Sequence, residues 1–259
     1  MSLPYDIQKF LASFRSISLE KTEKVKLMHR IDTKYLISVD KVIGLLQDIR
    51  QDYQVLDVES HRVGNYKSTY YDTSDLQMFY SHITGRYPRY KVRERHYSQN
   101  NQRFFEVKQK SNKGRTYKRR IALTENKTKT SDWLSKQSPF RADELTLALM
   151  NSFERITLIN NDQTERITLD FNLQFRSPSG YETPVYDRVV IVELKQEKSI
   201  NSPIKISMRS KGIHPCRVSK FCIGMFITGG LTSYKKYKPN YSLFIKTQLN
   251  DPFEITGCN

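Results

Sequence analysis

Polar and apolar residues alternate through three consecutive segments of the chain, 90–97, 102–110 and 117–123. A period of two residues places successive side chains on opposite faces of a β-strand. The polar stretches between these segments, 98–101 and 111–114, have the composition of tight turns. The pattern therefore predicts an antiparallel meander of three strands.

Periodic patterns predict strands and helices over most of the remaining chain. Further strands are predicted at 28–38, 68–72, 153–159, 166–175 and 185–196, with a hairpin turn at 160–163. Helical spacing predicts helices in the first fifteen residues, over 131–150 with a break near Pro139, over 203–212 and over 218–227. Two further helices are predicted to begin at capping residues: one runs from Ser38 or Asp40 to Tyr53, and the other from Thr73 or Ser74 to His82. The Lys- and Tyr-rich segment 234–259 receives no assignment and is expected to be a solvated or strand-capping extension, with a docking patch as the alternative. We predict one α+β domain over 1–259.

The composition adds an excess of positive charge to this picture. Forty-three Lys and Arg oppose 27 Asp and Glu in 259 residues, a net charge of +16. With 37 % hydrophobic residues the chain is not a disordered polycation. Such an excess attracts polyanions: nucleic acid, an anionic membrane or a phosphate-rich small molecule.

Other features of the composition bear on location. The longest apolar stretch, around 221–231, contains glycines and is far shorter than the roughly 20 residues that span a bilayer. No secretory signal is recognised at the start of the chain. The three cysteines form no CxxC pair, which argues against a zinc site and favours a reducing compartment. We expect a cytoplasmic protein without a membrane segment.

Charged side chains fall on one face when each predicted strand is sorted by odd and even positions. This face carries Arg30, Asp32, Lys34, Lys91, Arg93, Arg95, Glu106, Lys108, Lys110, Lys118, Arg120, Arg166, Asp170, Glu193 and Lys195. Solvent-facing sheets also alternate polar and apolar residues, but like charges at adjacent cross-strand positions are destabilising unless an anion lies among them. Carboxylates among cations suit a divalent metal that completes its shell with phosphate oxygens. If the sheet closes into a barrel, this face lines a basic lumen.

Seven segments in order resemble a known family. They are HRIDTKYLI (29–37), STYYDTSDLQMFY (68–80), RYKVRERHY (89–97), FFEVKQKSNKGRTYKRR (104–120), ERITLD (165–170), VVIVELK (189–195) and RVSKF (217–221). Together they resemble the VTC domain, the catalytic domain of the vacuolar transporter chaperone polyphosphate polymerase, which belongs to the triphosphate tunnel metalloenzymes. The resemblance covers about 28–227, most of the chain.

The resemblance implies a closed, eight-stranded antiparallel β-barrel with helices packed outside and a divalent metal, Mn²⁺ or Mg²⁺, as cofactor. The residues assigned to catalysis are Lys34, Arg93, Arg95, Lys108, Arg155, Arg166 and Lys220. Those assigned to further substrate contacts are Arg30, Lys91, Lys118, Arg120, Lys195 and Ser219. The metal ligand is Glu193, with Glu106 and Asp170 as further candidates. The cations of these two sets number twelve and, with Asp32 and the three candidate ligands, would give the lumen a net charge of +8, half of the total.

One departure from the superfamily is informative. Hydrolase and cyclase branches begin with an E-x-E-x-K motif, whereas this chain has Arg30, Asp32 and Lys34 at those positions. An Arg at the first Glu position removes a metal ligand and adds a phosphate contact, which favours the polymerase branch. No SPX domain or membrane helices are recognised in the sequence, so we expect a free-standing domain of bacterial type.

We therefore expect an ATP-dependent polyphosphate polymerase that moves the γ-phosphate of ATP onto phosphate, pyrophosphate or polyphosphate. Water as the acceptor would instead make a tri- or polyphosphatase of the same fold. A module that binds nucleic acid or another polyanion without catalysis is the third possibility, although no nucleic-acid partner is expected. No Cys or His is expected to act in the chemistry, and the sequence does not indicate an oligomeric state.

Overall fold

The structure, a computed structural model, describes residues 3–25, 31–113, 115–123, 127–198, 201–229 and 237–249. Its strands are β1 (Ser16–Ser18), β2 (Ile31–Ser38), β3 (Tyr53–Asp57), β4 (Val63–Thr73), β5 (Arg89–Tyr97), β6 (Gln102–Lys110), β7 (Thr116–Ala122), β8 (Leu145–Asn160), β9 (Glu165–Arg176) and β10 (Val189–Gln196). Its α-helices are α1 (Tyr5–Leu11), α2 (Val42–Ile49), α3 (Gln77–Thr84), α4 (Lys127–Gln137), α5 (Pro203–Ser210), α6 (Lys220–Gly229) and α7 (Lys238–Leu249).

One sheet contains all ten of these strands. Eight of them follow the order β2-β10-β9-β8-β4-β5-β6-β7, and every neighbouring pair along this path is antiparallel. The short β3 pairs with β8, and β1 pairs with β3 in parallel. The α+β class and the meander of β5, β6 and β7 are thus confirmed.

The sheet curls strongly but does not close. Five strand spacings separate β2 from β5 along the sheet, which would be about 24 Å if the sheet were flat. Lys34 on β2 and Lys91 on β5 nevertheless donate hydrogen bonds to the adjacent residues Val218 and Ser219, so the two strands face each other. No pairing joins β2 to β7 within the described ranges, and the expected closed barrel is wrong for them. In β7 six of the seven residues are exposed, so little apolar surface is available to drive its closure against β2.

We call the two sides of the sheet the inner face, which carries Lys34, Arg93, Lys108, Asp170 and Glu193, and the outer face. The apolar outer face is covered by helices, because the alternation that points charges inward points Tyr35, Val92 and Leu169 outward. Helices α1, α2 and α5 pack on β2 and β8 to β10, and α4 packs on the outer face of β5 and β6.

Two helices pack at one end of the inner face. Phe221 and Ile223 of α6, with Phe244 of α7, share a buried cluster with Leu149 and Phe175 from the sheet. These helices cover that end of the curled sheet and bring the start of α6 next to the charged side chains. Within the described ranges, no helix is long and apolar enough to cross a membrane.

Some predicted elements differ from the structure. Residues 145–150, predicted to be helical, form the first part of β8, because their leucines alternate and pair with β4 from Leu145↔Thr73 to Met150↔Thr69. The helix predicted to reach Tyr53 ends at Ile49, and Tyr53 begins β3. The strands β1 and β3 were not predicted, since three and five residues carry too short a pattern. The described part of the unassigned C-terminal segment contains α7, whose Gln248 side chain accepts hydrogen bonds from the backbone at the start of β10.

Candidate active site

The predicted cations converge on the inner face. Eleven of the twelve belong to the described residues: Lys34, Lys91, Arg93, Arg95, Lys108, Lys118, Arg120, Arg155, Arg166, Lys195 and Lys220. Arg30 lies outside the described residues. Strand alternation directs the first ten inward, and Lys220 enters from the first turn of α6.

Asp170 on β9 joins two of these cations. Its Oδ1 lies 2.5 Å from Arg155 Nε and its Oδ2 lies 2.8 Å from Arg155 Nη2. Lys220 Nζ donates to the same Oδ2. Burial would raise the pKa of Asp170, but Arg155 and Lys220 lower it to about 2. The buried carboxylate therefore stays charged and ties α6 to the hairpin of β8 and β9.

Glu106 on β6 likewise joins two cations, one from each neighbouring strand of the meander. Its Oε2 lies 2.7 Å from Arg93 Nη2 on β5, and its Oε1 lies 2.6 Å from Lys118 Nζ on β7. Burial opposes ionisation, yet Arg93 and Lys118 lower the pKa of Glu106 to about 2. Both Glu106 and Asp170, the further candidates for metal ligands, are thus already engaged by two cations each.

Glu193 on β10 is held more loosely. Lys195 Nζ lies 3.0 Å from its Oε2 and Lys34 Nζ lies 3.7 Å from its Oε1. Burial opposes its ionisation, but Lys195 and Lys34 keep the pKa well below the usual value. The described part of the chain contains no group of three His, Cys, Asp or Glu that could hold a metal. A single ionised carboxylate fits a metal that arrives with phosphate oxygens, and it does not fit a metal caged by protein alone.

Several lysines of the inner face have pKa values below the usual value for lysine. Desolvation, followed by the charge of Lys34, lowers the pKa of Lys108 to about 7. Desolvation also lowers the pKa of Lys118 and of Lys220 to about 8, although each has a carboxylate partner. Because Lys108 and Lys118 are exposed, water offsets much of the desolvation that lowers their pKa values, whereas the Lys220 side chain is only 13 % exposed. The face is therefore short of negative charge.

The start of α6 makes a second contact with the sheet. Lys91 Nζ donates to Ser219 Oγ at 2.8 Å and lies 5.8 Å from the ring centroid of Phe221. Lys34 Nζ donates to the carbonyl of Val218, just before the helix. Residues that were predicted from separate motifs, Ser219, Lys220, Lys34 and Lys91, thus lie together.

The other predicted residues lie farther from α6. Arg166 and Lys195 are register partners on β9 and β10, four residues along β9 from Asp170. Arg120 is exposed on the edge strand β7, with its guanidinium 4.4 Å from the ring centroid of Phe104. These side chains extend the basic surface from the end covered by α6 toward the open edge of the sheet.

Sequence reasoning missed the uncharged members of the inner face. Tyr70 on β4 accepts a hydrogen bond from Arg93 Nη1 at 3.5 Å and stacks on Phe221. Burial alone would raise the pKa of Tyr70, but Arg93, Arg95, Lys91 and Lys220 together lower it to about 8. Sorting all polar residues of β4 by parity, and not only charged ones, would have found Tyr70 together with Tyr66 and Ser68.

An aromatic pair supports two of the arginines. The rings of Tyr66 and Phe153 stack with centroids 5.3 Å apart. The guanidinium groups of Arg95 and Arg155 lie between 5.0 and 5.7 Å from these ring centroids. Stacking of this kind orients a guanidinium without using its hydrogen-bond donors.

The VTC domain family model matches residues 29–228. The chain belongs to the VTC domain family. Membership supports an enzyme that acts on tri- or polyphosphate, and the basic inner face of this VTC domain lies within the matched residues. A search of curated proteins found no match.

Solved structures with some similarity to this VTC domain have low identity. The PH1819 protein of Pyrococcus horikoshii is 13 % identical over 78 % of this chain and 99 % of its own, with a TM-score of 0.46. HpAC1 from Hippeastrum, described as an adenylyl cyclase candidate with a dominant triphosphatase activity, is 14 % identical over 80 % and 99 %, with a TM-score of 0.46. An adenylate cyclase candidate from Vibrio parahaemolyticus is 12 % identical over 74 % and 95 %, with a TM-score of 0.42. At these values the three structures carry no argument about activity.

Proposed function

We propose that this VTC domain is an ATP-dependent polyphosphate polymerase, which transfers the γ-phosphate of ATP onto phosphate, pyrophosphate or polyphosphate. The observation that carries the proposal is the enclosure of Arg93, Arg95, Arg155 and Lys220 around only two tightly paired carboxylates, Glu106 and Asp170. Cations in such surroundings repel each other unless an anion of high charge density joins them. A chain of phosphates has this charge and fits a curled face.

The residues can be given roles in phosphoryl transfer. The protein has to align the acceptor oxygen with the γ-phosphorus and neutralise charge on the equatorial oxygens. The planar guanidinium groups of Arg93, Arg95 and Arg155 suit paired contacts to phosphate oxygens, while Lys34 and Lys220 act as point charges near the transferred group. Lys108 and Arg166 hold further phosphates. The acceptor phosphate is already anionic, so no side chain has to act as a nucleophile.

Additional cations extend the path of the substrate. Contacts along the growing chain are assigned to Lys91, Lys118, Arg120, Lys195 and Ser219. Glu193 would hold a Mn²⁺ or Mg²⁺ ion together with phosphate oxygens, because its contacts to cations are longer than those of Glu106 and Asp170. Such an ion would neutralise charge that develops between the β- and γ-phosphates.

The test is to incubate the purified protein with ATP and Mn²⁺ and to measure ADP, free orthophosphate and polymer length on a gel. We expect ADP and long-chain polymer from the wild type. Glu193→Ala should reduce turnover by at least about 100-fold while tripolyphosphate binding survives. Glu182→Ala, which removes an exposed carboxylate from the connection between β9 and β10, is the matched control and should retain full activity.

Two outcomes would contradict the polymerase proposal. Release of orthophosphate without polymer would make water the acceptor and the protein a tri- or polyphosphatase. No consumption of ATP, together with RNA binding that Glu193→Ala leaves unchanged, would make the chain a polyanion-binding module.

A further inference from the structure

Three polar side chains lie side by side on the inner face, and each has at least one buried polar atom for which the described residues supply no hydrogen-bond partner. Ser68 on β4 is the register partner of Asn151 on β8 and of Arg95 on β5. Ser68, Asn151 and Arg95 are 2 %, 4 % and 6 % exposed, respectively. Within the described residues no partner meets Ser68 Oγ, Arg95 Nε, or either polar atom of the Asn151 amide, Nδ2 and Oδ1. We call Ser68, Asn151 and Arg95 the polar triplet.

The polar triplet lowers the stability of the free protein. A buried donor or acceptor without a partner forfeits its hydrogen bonds to water and receives nothing in exchange. Buried side-chain polar atoms are satisfied in the large majority of cases, and one residue with both its donor and its acceptor unpaired is unusual. Three adjacent residues of this kind indicate a site whose partner arrives from outside the chain.

The surroundings place the polar triplet within the basic inner face. Tyr70, two residues after Ser68, contacts Arg93, and Phe153, two residues after Asn151, lies beneath the Arg155 guanidinium. The triplet therefore lies between the Arg93 and Arg155 side chains, each of which is already paired with a carboxylate. A ligand here would contact one cation and two neutral polar groups.

The unpaired atoms define the chemistry of the ligand. Ser68, Arg95 Nε and Asn151 Nδ2 are hydrogen-bond donors and suit anionic oxygens. Asn151 Oδ1 can only accept, so it requires a ligand that also carries a hydrogen-bond donor. Internal phosphates of a linear polyphosphate have no hydroxyl, whereas a terminal phosphate, with a second pKa near neutrality, carries both a hydroxyl and anionic oxygens.

We propose that the polar triplet binds the terminal phosphate of the acceptor, and so selects chain ends over internal phosphates. The inference rests on the proposed binding of polyphosphate to the inner face, and it assigns Ser68 and Asn151 to substrate recognition. The ligand class is an inorganic phosphate group with at least one free end: orthophosphate, pyrophosphate or a linear polyphosphate.

The test compares linear tripolyphosphate with cyclic trimetaphosphate, which has no terminal phosphate. Binding is measured by calorimetry with the full chain, in EDTA and without ATP, so that no turnover interferes. The variants are Asn151→Leu, which keeps the side-chain shape, Ser68→Ala and the double variant. Ser207→Ala is the matched control, because it removes a buried hydroxyl on α5 at the outer face, where it donates to Asp48.

We expect the double variant to bind tripolyphosphate at least about tenfold more weakly, with trimetaphosphate affinity changed less than about twofold. The free variant should melt at the same temperature as the wild type or higher, because unpaired buried polar atoms have been removed. Ser207→Ala should leave both affinities unchanged.

An unchanged tripolyphosphate affinity would overturn the inference, and so would an equal loss for both ligands. A lower melting temperature with unchanged affinity would show that bound water satisfies the triplet, and would also overturn it. If the wild type binds neither ligand, the proposed function fails as well, which separates the two failures.

Discussion

At the scale of single residues, each of the two most buried carboxylates of the inner face holds two cations in place. Asp170 is 1 % exposed and fixes Arg155 and Lys220, while Glu106, also 1 % exposed, fixes Arg93 and Lys118. Buried ion pairs add little net stability, because desolvation offsets most of the attraction. Their value here is positional, since the cations point at a common space before any substrate arrives.

Removing the charge of Asp170 should expose this dependence. Asp170→Asn leaves Arg155 and Lys220 buried without their carboxylate, which should cost about 3–5 kcal/mol of unfolding free energy. Denaturant titration measures the loss, and saturating tripolyphosphate should restore part of it by supplying negative charge. The matched control is Asp143→Asn, which breaks the exposed ion pair with Arg141 and should change stability far less, because solvent screens that pair. Equal effects of the two substitutions would contradict the positional role of Asp170.

The lowered pKa values of the lysines predict a pH dependence. A bound polyanion favours protonated ammonium groups, so affinity should fall as the pH rises through the free-state pKa values of Lys108, about 7, and Lys118 and Lys220, about 8. One fully titrating group weakens binding by up to about tenfold per pH unit. Calorimetry with tripolyphosphate between about pH 6.5 and 9 measures the slope.

Lys108→Arg provides the control for this dependence, because a guanidinium stays protonated across the range. We expect a shallower loss of affinity with pH in this variant and little change at the acidic end of the range. A slope identical to that of the wild type would exclude Lys108 from the titration.

At the scale of elements, α6 has two functions at once. Its apolar residues cover one end of the inner face, and its first turn delivers Lys220, preceded by Ser219, to the charged site. The close approach depends on Gly224: a Cβ atom there would overlap Leu149 Cδ2 and lie 2.6 Å from Phe175 Cδ1. Glycine lets the helix lie directly on β8 and β9.

Gly224→Ala should therefore separate α6 from the sheet. Overpacking at this contact should cost about 1–3 kcal/mol of unfolding free energy, despite the better helix propensity of alanine, and should weaken tripolyphosphate binding by displacing Lys220. Gly44→Ala on α2 is the matched control, since the added Cβ would meet only the Lys211 side chain at 3.5 Å. That variant should be as stable as the wild type or up to about 1 kcal/mol more stable. Denaturant titration of both variants measures the unfolding free energies. A Gly224→Ala protein with the unfolding free energy of the wild type would contradict the close packing of α6 on the sheet.

At the scale of the whole molecule, nearly half of the net charge of +16 lies on the inner face, where eleven described cations against Asp32, Glu106, Asp170 and Glu193 leave +7. Repulsion among these cations opposes folding, so a bound polyanion should stabilise the protein by mass action. At 100 times the dissociation constant the gain is about 2.7 kcal/mol. Thermal melting with tripolyphosphate should show this rise, and sodium chloride at equal ionic strength should not reproduce it. An equal rise in both solutions would indicate general screening and no specific site.

Much of the fold and the site could be predicted from local sequence. The alternation of polar and apolar residues located β9, β10 and the three strands of the meander. Sorting odd and even positions placed Lys34, Arg93 and Glu193 on one face, because successive side chains of a strand point to opposite faces. The segment 145–150 shows the limit of local prediction. A leucine-rich stretch is compatible with a helix or a strand, and the pairing of this segment with β4 makes it a strand. The pairing partner lies over 70 residues away in the chain, beyond the reach of local pattern.

The sequence by itself determined the class of fold, the basic face and the family, since all three depend on residue type and order. Only the tertiary structure decided that the sheet curls without closing over the described residues, and that Lys220 of α6 binds Asp170 of β9. It also decided that Ser68, Asn151 and Arg95 lie together, with buried polar atoms that lack hydrogen-bond partners among the described residues. The physical reason is that strand register and helix docking bring together residues from distant segments. Whether a polar atom is paired or left unsatisfied depends on those contacts, and no pattern along a single strand contains them.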